Sequence, residues 1–457
     1  MRYVGIVLIF LSIPVLIGWL RTYPAHRKWA YFAIGALPFT ISWINLDASL
    51  INWPAWTGYA KGIVITLIDT LALAIILTSR TPWRGLPFLG LFLAYLFAVT
   101  LSIAFSNLPM SSSFYVFQIA RVLLVFVAVA SIMSDPKAIR WLAWGLAVGA
   151  IVQGIATVDQ RLSGALQASG TMGHQNLLGL MLHFVTFPLL ALSLAGEKSK
   201  IIILGVLASL IAVALGASRG AVGFAAMGLV GLFVLSMAKR MTAHKWKMVG
   251  LAVVSLAVIA PLTISTLDRR FGDQPIDTGP DGEREAFERA AKAMWADHPM
   301  GVGANQYVVT ANSGGYSERA GVIWNYASRS AKVHNMYLLT AAETGWFGLI
   351  TLASLIGWAI MRGLAFSFAH RRDPRGDLVL GAVVAIAVTA AHGFYEWVFL
   401  LYHAQYLFAI SLGIIAGVIR LAKREKAHRA MMLIRQRSES KQASEKPPRL
   451  ERETTGA

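Results

Sequence analysis

The chain is a succession of apolar runs, each about 17–22 residues long, separated by short polar loops. A run of that length crosses a hydrocarbon core of about 30 Å as an α-helix. Within lipid every backbone N–H and C=O must be satisfied inside the spanning structure, so open strands are excluded. The sequence therefore predicts an all-α polytopic membrane protein. Composition agrees: 56% of residues are hydrophobic and only 14% charged, about half the charge of an ordinary soluble domain.

The runs fall at 3–20, 29–47, 62–79, 86–106, 114–134, 141–158, 176–195, 201–217, 221–238, 248–267, 335–361, 378–397 and 400–421. Thirteen spans follow, or twelve if the last two form one span and a re-entrant piece. Residues 1–20 resemble a signal peptide but show no small-x-small cleavage site before Arg21, so they read as a retained first helix. Four segments result. Residues 1–267 hold helices 1–10, 268–334 form the one large loop, 335–421 hold helices 11–13, and 422–457 form a basic tail, read as disordered beyond about residue 436.

Charge sets the orientation. RTYPAHRK (21–28), RTPWR (80–84), DPKAIR (135–140), GEKSK (196–200), KRMTAHKWK (239–247) and RGLAFSFAHRRDPRGD (362–377) alternate with loops that carry few cations. All the basic loops and the tail lie on one side, which the positive-inside rule makes cytoplasmic. This accounts for the formal net charge of +18 without nucleic acid, which would need the cations on one folded face. The large loop lies on the other side, the periplasm of a bacterial inner membrane. With no cysteine, disulfides, thiolate metal sites and cysteine nucleophiles are excluded. No HExxH, paired-histidine or carboxylate-pair motif offers a metal site, so metal-independent chemistry without a cofactor is expected.

Within the loop, DGEREAFERAAKAMWADHP predicts a helix over 281–298, with Asp281 as its cap and Pro299 as its stop. Phe287, Ala290, Ala291 and Met294 share one face. GVGANQY (301–307) reads as a glycine turn, too short for a dinucleotide fingerprint. Inside the spans, Arg121, Asp69, His183, His392 and Glu396 are costly in lipid and must face a bundle interior or wet cavity. Arg121 and Asp69 read equally as a buried ion pair. Gly345 and Gly348 read as close-packing positions in the eleventh span.

Three further elements face the loop side: SGTMGHQNLLG (169–179), GASRGAVG (216–223) and VHNMYL (333–338). Each has a modest reading. His174 and Asn176 would cap a helix, Arg219 would anchor an interface and Arg284 would be a solvated helix residue. Taken together, arginines beside helix N-termini suit a phosphate or pyrophosphate, which the guanidinium fork grips with two donors. A nearby histidine can take a proton from an attacking hydroxyl.

GTMGHQN-LLG, A-SRGA, the Arg284…Trp295…DHP-GVG signature and HN-YL…AE-G-FGL occur in order across 169–350. In this the chain resembles the O-antigen ligase/polymerase superfamily, which includes O-antigen and exopolysaccharide polymerases and protein O-oligosaccharyltransferases. The resemblance implies a GT-C-like helical fold and metal-independent, inverting glycan transfer from undecaprenyl pyrophosphate at the periplasmic face. It implies His334 as the base that activates the acceptor hydroxyl, on lipid A–core for a ligase or on another glycan for a polymerase. It implies Arg219 and Arg284 as pyrophosphate ligands. Arg121 joins them as a buried cation near the same side, and His174, Asn176 and Asn335 are supporting residues. Arg289 is the alternative to Arg284, because Phe287 and Glu288 stand where the family pattern leads one to expect Trp. The competing class is a transporter or flippase using Arg121, Asp69, His183 and Glu396 as a polar path, although no repeated halves are evident. A membrane scaffold would need none of these residues.

Overall fold

The computed structural model describes residues 2–44, 47–79, 81, 83–271 and 280–445. Helices α1 (Arg2–Thr22), α2 (Arg27–Ile44), α3 (Leu67–Thr78), α4 (Leu89–Leu101), α5 (Pro109–Ile132), α6 (Ala138–Leu162) and α7 (Gln175–Leu194) are followed by α8 (Lys200–Leu215), α9 (Arg219–Lys239) and α10 (Ala243–Phe271). The loop holds α11 (Pro280–Asp297) and the short α12 (Tyr307–Ser313), α13 (Tyr316–Arg319) and α14 (Tyr326–Arg329). Helices α15 (Met336–Ala369), α16 (Pro374–His392) and α17 (Tyr402–Glu445) complete the chain. Every expected span contains a helix. Among the described residues, eight helices are long and apolar enough to cross a membrane, and α3, α4 and α8 are shorter apolar helices. The protein is an all-α polytopic membrane protein.

Helix α7 is buried along its whole apolar window, and α17 nearly so. They form the centre, with α7 against α16 and α8, and α17 against α5. An apolar circumference fits a helix surrounded by other helices. By contrast α1 and α9 leave Val7, Leu8, Leu11, Val230 and Val234 exposed, as a lipid-facing surface requires. Lipid tails supply little hydrophobic drive between helices, so close packing holds them together. At the α2–α6 crossing, a Cβ on Gly35 or Gly145 would run into the backbone of the other helix.

Three expectations are corrected. The span expected from residue 62 opens with a strand, β2 (Gly62–Thr66), paired antiparallel with β1 (Asp47–Asn52). GIVIT is β-branched and favours that pairing. Asp69 is consequently not mid-span: it is the third residue of α3 and closes a capping box with Thr66. Gly345 breaks α15, with φ 65° and ψ −166°, and packs against the Pro299–Met300 backbone rather than another helix, while a Cβ at Gly348 would meet Thr344 of its own helix. Helix α17 stays helical past residue 436 to Glu445, over a stretch rich in Ala, Lys, Arg, Met and Leu. In α11, Phe287, Ala290, Ala291 and Met294 form the expected buried face. The Asp281 side chain lies outside the described residues.

Candidate active site

Glu396, in the linker between α16 and α17, gathers the site. Its Oε2 lies 3.3 Å from His334 Nδ1. Its Oε1 accepts a hydrogen bond from Asn176 Nδ2 at 2.6 Å and lies 3.7 Å from an Arg284 guanidinium nitrogen. Four chain segments far apart in sequence thus meet at one carboxylate.

Local sequence chemistry delivers each partner. Gln160 Oε1 accepts from the backbone N–H groups of Ser169 and Gly170, both at 2.9 Å. Gln153 Oε1 accepts from Thr171 N–H at 2.9 Å. These bonds moor the SGTMG turn to α6 and place His174 as the N-cap of α7, its Nδ1 accepting from Asn176 N–H at 3.2 Å. The Asn176 side chain is thereby free to reach Glu396. Asn335 caps α15, accepting from Tyr337 and Leu338 N–H at 3.0 and 3.1 Å, which fixes His334 just before the helix. Met336 N–H also donates to Gly393 O at 2.7 Å, binding the start of α15 to the linker that carries Glu396.

Arg284 comes from α11, whose apolar face is buried against the rest of the loop and the start of α15. Phe287, one turn along, brings its ring centroid to 6.3 Å from His334. Trp397 stands between two histidines, 6.1 Å from His334 and 6.0 Å from His174. Arg219 is exposed in the first turn of α9, behind the N-cap Ser218, and the adjacent Gly220 abuts the His392 ring.

The loop is locked in place by its own signature residues. Because α15 breaks at Gly345, Ala342 O and Glu343 O accept from Val302 and Gly303 N–H at 3.0 and 2.9 Å, and Trp346 N–H donates to Pro299 O at 3.1 Å. Buried Glu343 accepts from Asn305 and Tyr307 N–H at 2.9 and 3.0 Å and from the Tyr59 hydroxyl. DHP-GVG and AE-G-FG are therefore two halves of one joint.

Electrostatics follow from this geometry. Burial would push the Glu396 carboxyl up. The His334 hydrogen bond and charge, with His392 and Arg284, outweigh that and hold it below the usual glutamate range. His334 keeps a quarter of its side chain exposed and Arg284 about two-fifths, so both can meet a ligand. Among the described residues no group of three or more His, Asp or Glu side chains is placed to hold a metal ion.

Of the residues nominated from sequence, His334, Arg284 and Asn176 meet at Glu396, His174 joins them through Trp397, and Asn335 acts as a cap. Arg289 turns elsewhere, donating to Ala320 O at 3.0 Å and pairing with Glu285. Arg121 forms a separate buried cluster, 3.1 Å from Asp69 Oδ2 and 3.0 Å from the Tyr406 hydroxyl, which donates to Asp69 Oδ1 at 2.7 Å. This is the ion-pair alternative. Glu396 enters the sequence reading only as an intramembrane charge and part of a polar path, and Trp397 does not enter it. A carboxylate in an apolar run was the available signal for Glu396, but it pointed equally to a translocation path.

A multi-spanning helical body with a histidine, a carboxylate and an arginine gathered beside one large loop defines the class. Residues 204–353, spanning Arg219, Arg284 and His334, match the family described as O-Antigen ligase, which supports the resemblance to the O-antigen ligase/polymerase superfamily. No curated protein matches it.

Proposed function

We propose that the protein is an O-antigen ligase that transfers a glycan from undecaprenyl pyrophosphate to a hydroxyl of lipid A–core. The meeting of His334 and Arg284 at Glu396 carries the reading. His334 takes the acceptor proton, the oxygen attacks the anomeric carbon from the face opposite the leaving group, and the sugar–phosphate bond breaks. Pyrophosphate leaves with the bonding electrons, and the proton remains on His334 until it passes to solvent or product. Arg284 and Arg219 face the charge that grows on the pyrophosphate, and preorganised cations favour the transition state over the ground state.

An apolar groove of about 330 Å³ supports a lipid-linked donor. Val222, Ala225, Ala226, Leu229 and Phe233 line it along α9, the helix that begins at Arg219. Val222 stands three residues from Arg219, about 4.5 Å along the axis. A polyprenyl chain lying there would bring its headgroup to the arginine. The body of 1–267 and 335–421 would sit in the bacterial inner membrane, with 268–334 covering the site from the periplasm.

The test is reconstitution with undecaprenyl-pyrophosphate-linked glycan, offered lipid A–core or no other acceptor, using wild type and His334→Ala. Glycosylated lipid A–core made only by the wild type supports the ligase. Longer glycans without lipid A would make it a polymerase. Full activity in the variant would remove His334 from the chemistry. No product with either acceptor, but movement of the lipid across the bilayer, would make it a flippase.

A further inference from the structure

Glu396 has no assigned part in the transfer, yet His334, Asn176 and Arg284 all touch it. It is 5% exposed, and its two oxygens face different partners. Oε2 faces His334, while Oε1 takes Asn176 and Arg284. An ionised carboxylate only accepts hydrogen bonds, so a neutral His334 that bonds it must carry its proton on Nδ1. That leaves Nε2 as the lone-pair nitrogen, the form a base requires. When the imidazole gains the acceptor's proton, the imidazolium faces a fixed negative charge.

The Arg284 contact adds a second feature. At 3.7 Å, with the arginine about two-fifths exposed, it is a loose pairing rather than a bidentate fork. Asn176 holds the same oxygen at 2.6 Å, so Glu396 stays anchored if the arginine leaves.

We infer that Glu396 is the positioning residue of this site: it sets the orientation and tautomer of His334 and parks Arg284 until a donor pyrophosphate draws that arginine away. The inference rests on the proposed transfer reaction. Donor binding and base activation become linked. A pyrophosphate recruits Arg284, and the carboxylate it vacates remains fully directed at His334. The charged and titratable groups facing Glu396 are His334 ahead of α15, Arg284 from α11 and His392 at the end of α16, with neutral Asn176 from α7.

The test uses the full-length protein in lipid nanodiscs, wild type, Glu396→Gln, Glu396→Asp and His334→Ala, with undecaprenyl-pyrophosphate glycan as donor. The glutamine amide can donate to Nδ1, which selects the wrong tautomer. We expect kcat of Glu396→Gln to fall about 10²–10⁴-fold, the span of a general-base contribution, with KM for the donor unchanged within about twofold or lower. Glu396→Asp should recover part of kcat. In ¹⁵N-histidine spectra of the wild type, the His334 signal, identified by its loss in His334→Ala, should be that of the Nδ1–H tautomer when neutral. Wild-type kcat in Glu396→Gln alongside an inactive His334→Ala would overturn the positioning role while leaving the transfer reaction standing. A wild-type Nε2–H tautomer would overturn it even if the glutamine variant does not fold. Full activity in His334→Ala would instead remove the reading beneath it.

Discussion

Gly345→Ala tests the joint between the loop and α15. The backbone there has φ 65° and ψ −166°, a region open essentially to glycine alone. A side chain costs about 1–3 kcal/mol in such a conformation. The new methyl would also meet the backbone of Pro299 and Met300. Relieving that contact means moving 299–303, which three backbone hydrogen bonds hold: Val302 to Ala342, Gly303 to Glu343 and Trp346 to Pro299. Each contributes about 1 kcal/mol net. Losing all three on top of the strain gives a loss of about 4–6 kcal/mol in loop docking. Against a typical total stability of 5–15 kcal/mol, that is enough to release the loop while the helical body remains assembled. Hydrogen exchange over 299–307 should therefore rise by orders of magnitude, and transfer activity should fall because α11 carries Arg284. Gly357→Ala, in the same helix with nothing near the added Cβ, is the control and should be neutral or slightly stabilising. Wild-type exchange protection over 299–307 in Gly345→Ala would refute the account of the joint.

Glu343→Ala should release the same segment by a different route. It orphans the Tyr307 N–H at about 1–3 kcal/mol and leaves the Asn305 N–H only its 3.3 Å bond to the Tyr59 hydroxyl, read as lost protection and a lower thermal midpoint. Arg121→Met strands the buried Asp69 charge and should destabilise the protein by about 3–5 kcal/mol. Adding Asp69→Asn should recover most of that in detergent unfolding, and a double variant no better than the single would count against a simple ion pair. Ala225→Trp, which fills the α9 groove, should raise KM for a long-chain polyprenyl donor and leave a short-chain donor unaffected. The Glu396 carboxyl is held below its ordinary range when folded, so its contribution is full above the unfolded value of about 4.3 and is lost as pH falls through the lower folded value. The gap in thermal midpoint between wild type and Glu396→Gln should accordingly close on acidification below about pH 4. A gap that is constant with pH would assign the difference to packing.

The membrane helices were legible because their signal is summed over about 20 residues and one exposed charge cannot hide it. The α11 face was legible for a similar reason: Phe287, Ala290, Ala291 and Met294 repeat at helical spacing. What escaped was single-residue geometry. Gly345 sits in an apolar run where one glycine is tolerable at helical φ, and nothing in AETGWFG distinguishes that from a left-handed break. The distinguishing partner, Pro299–Gly303, lies some forty residues upstream. Asp69 read as a charge in mid-membrane because GIVIT is apolar in either a strand or a helix. The capping box shows only once β2 has ended at Thr66.

Glu396 marks the limit more sharply. Its cost in lipid made it conspicuous, but its role depends on His334, Asn176 and Arg284, which approach from three other segments. Sequence spacing orders such residues along the chain, whereas helix packing brings them together. A carboxylate that His334 faces through Nδ1 can be recognised only after both steps. The same logic separates two arginines that looked alike as intramembrane or near-membrane cations. Arg121 is neutralised by Asp69 on a neighbouring helix and is 6% exposed, so a ligand phosphate would have to displace a buried carboxylate to reach it. Arg284 is more exposed and its contact with Glu396 is long, at 3.7 Å, so giving up that carboxylate for a phosphate costs less there than at Arg121.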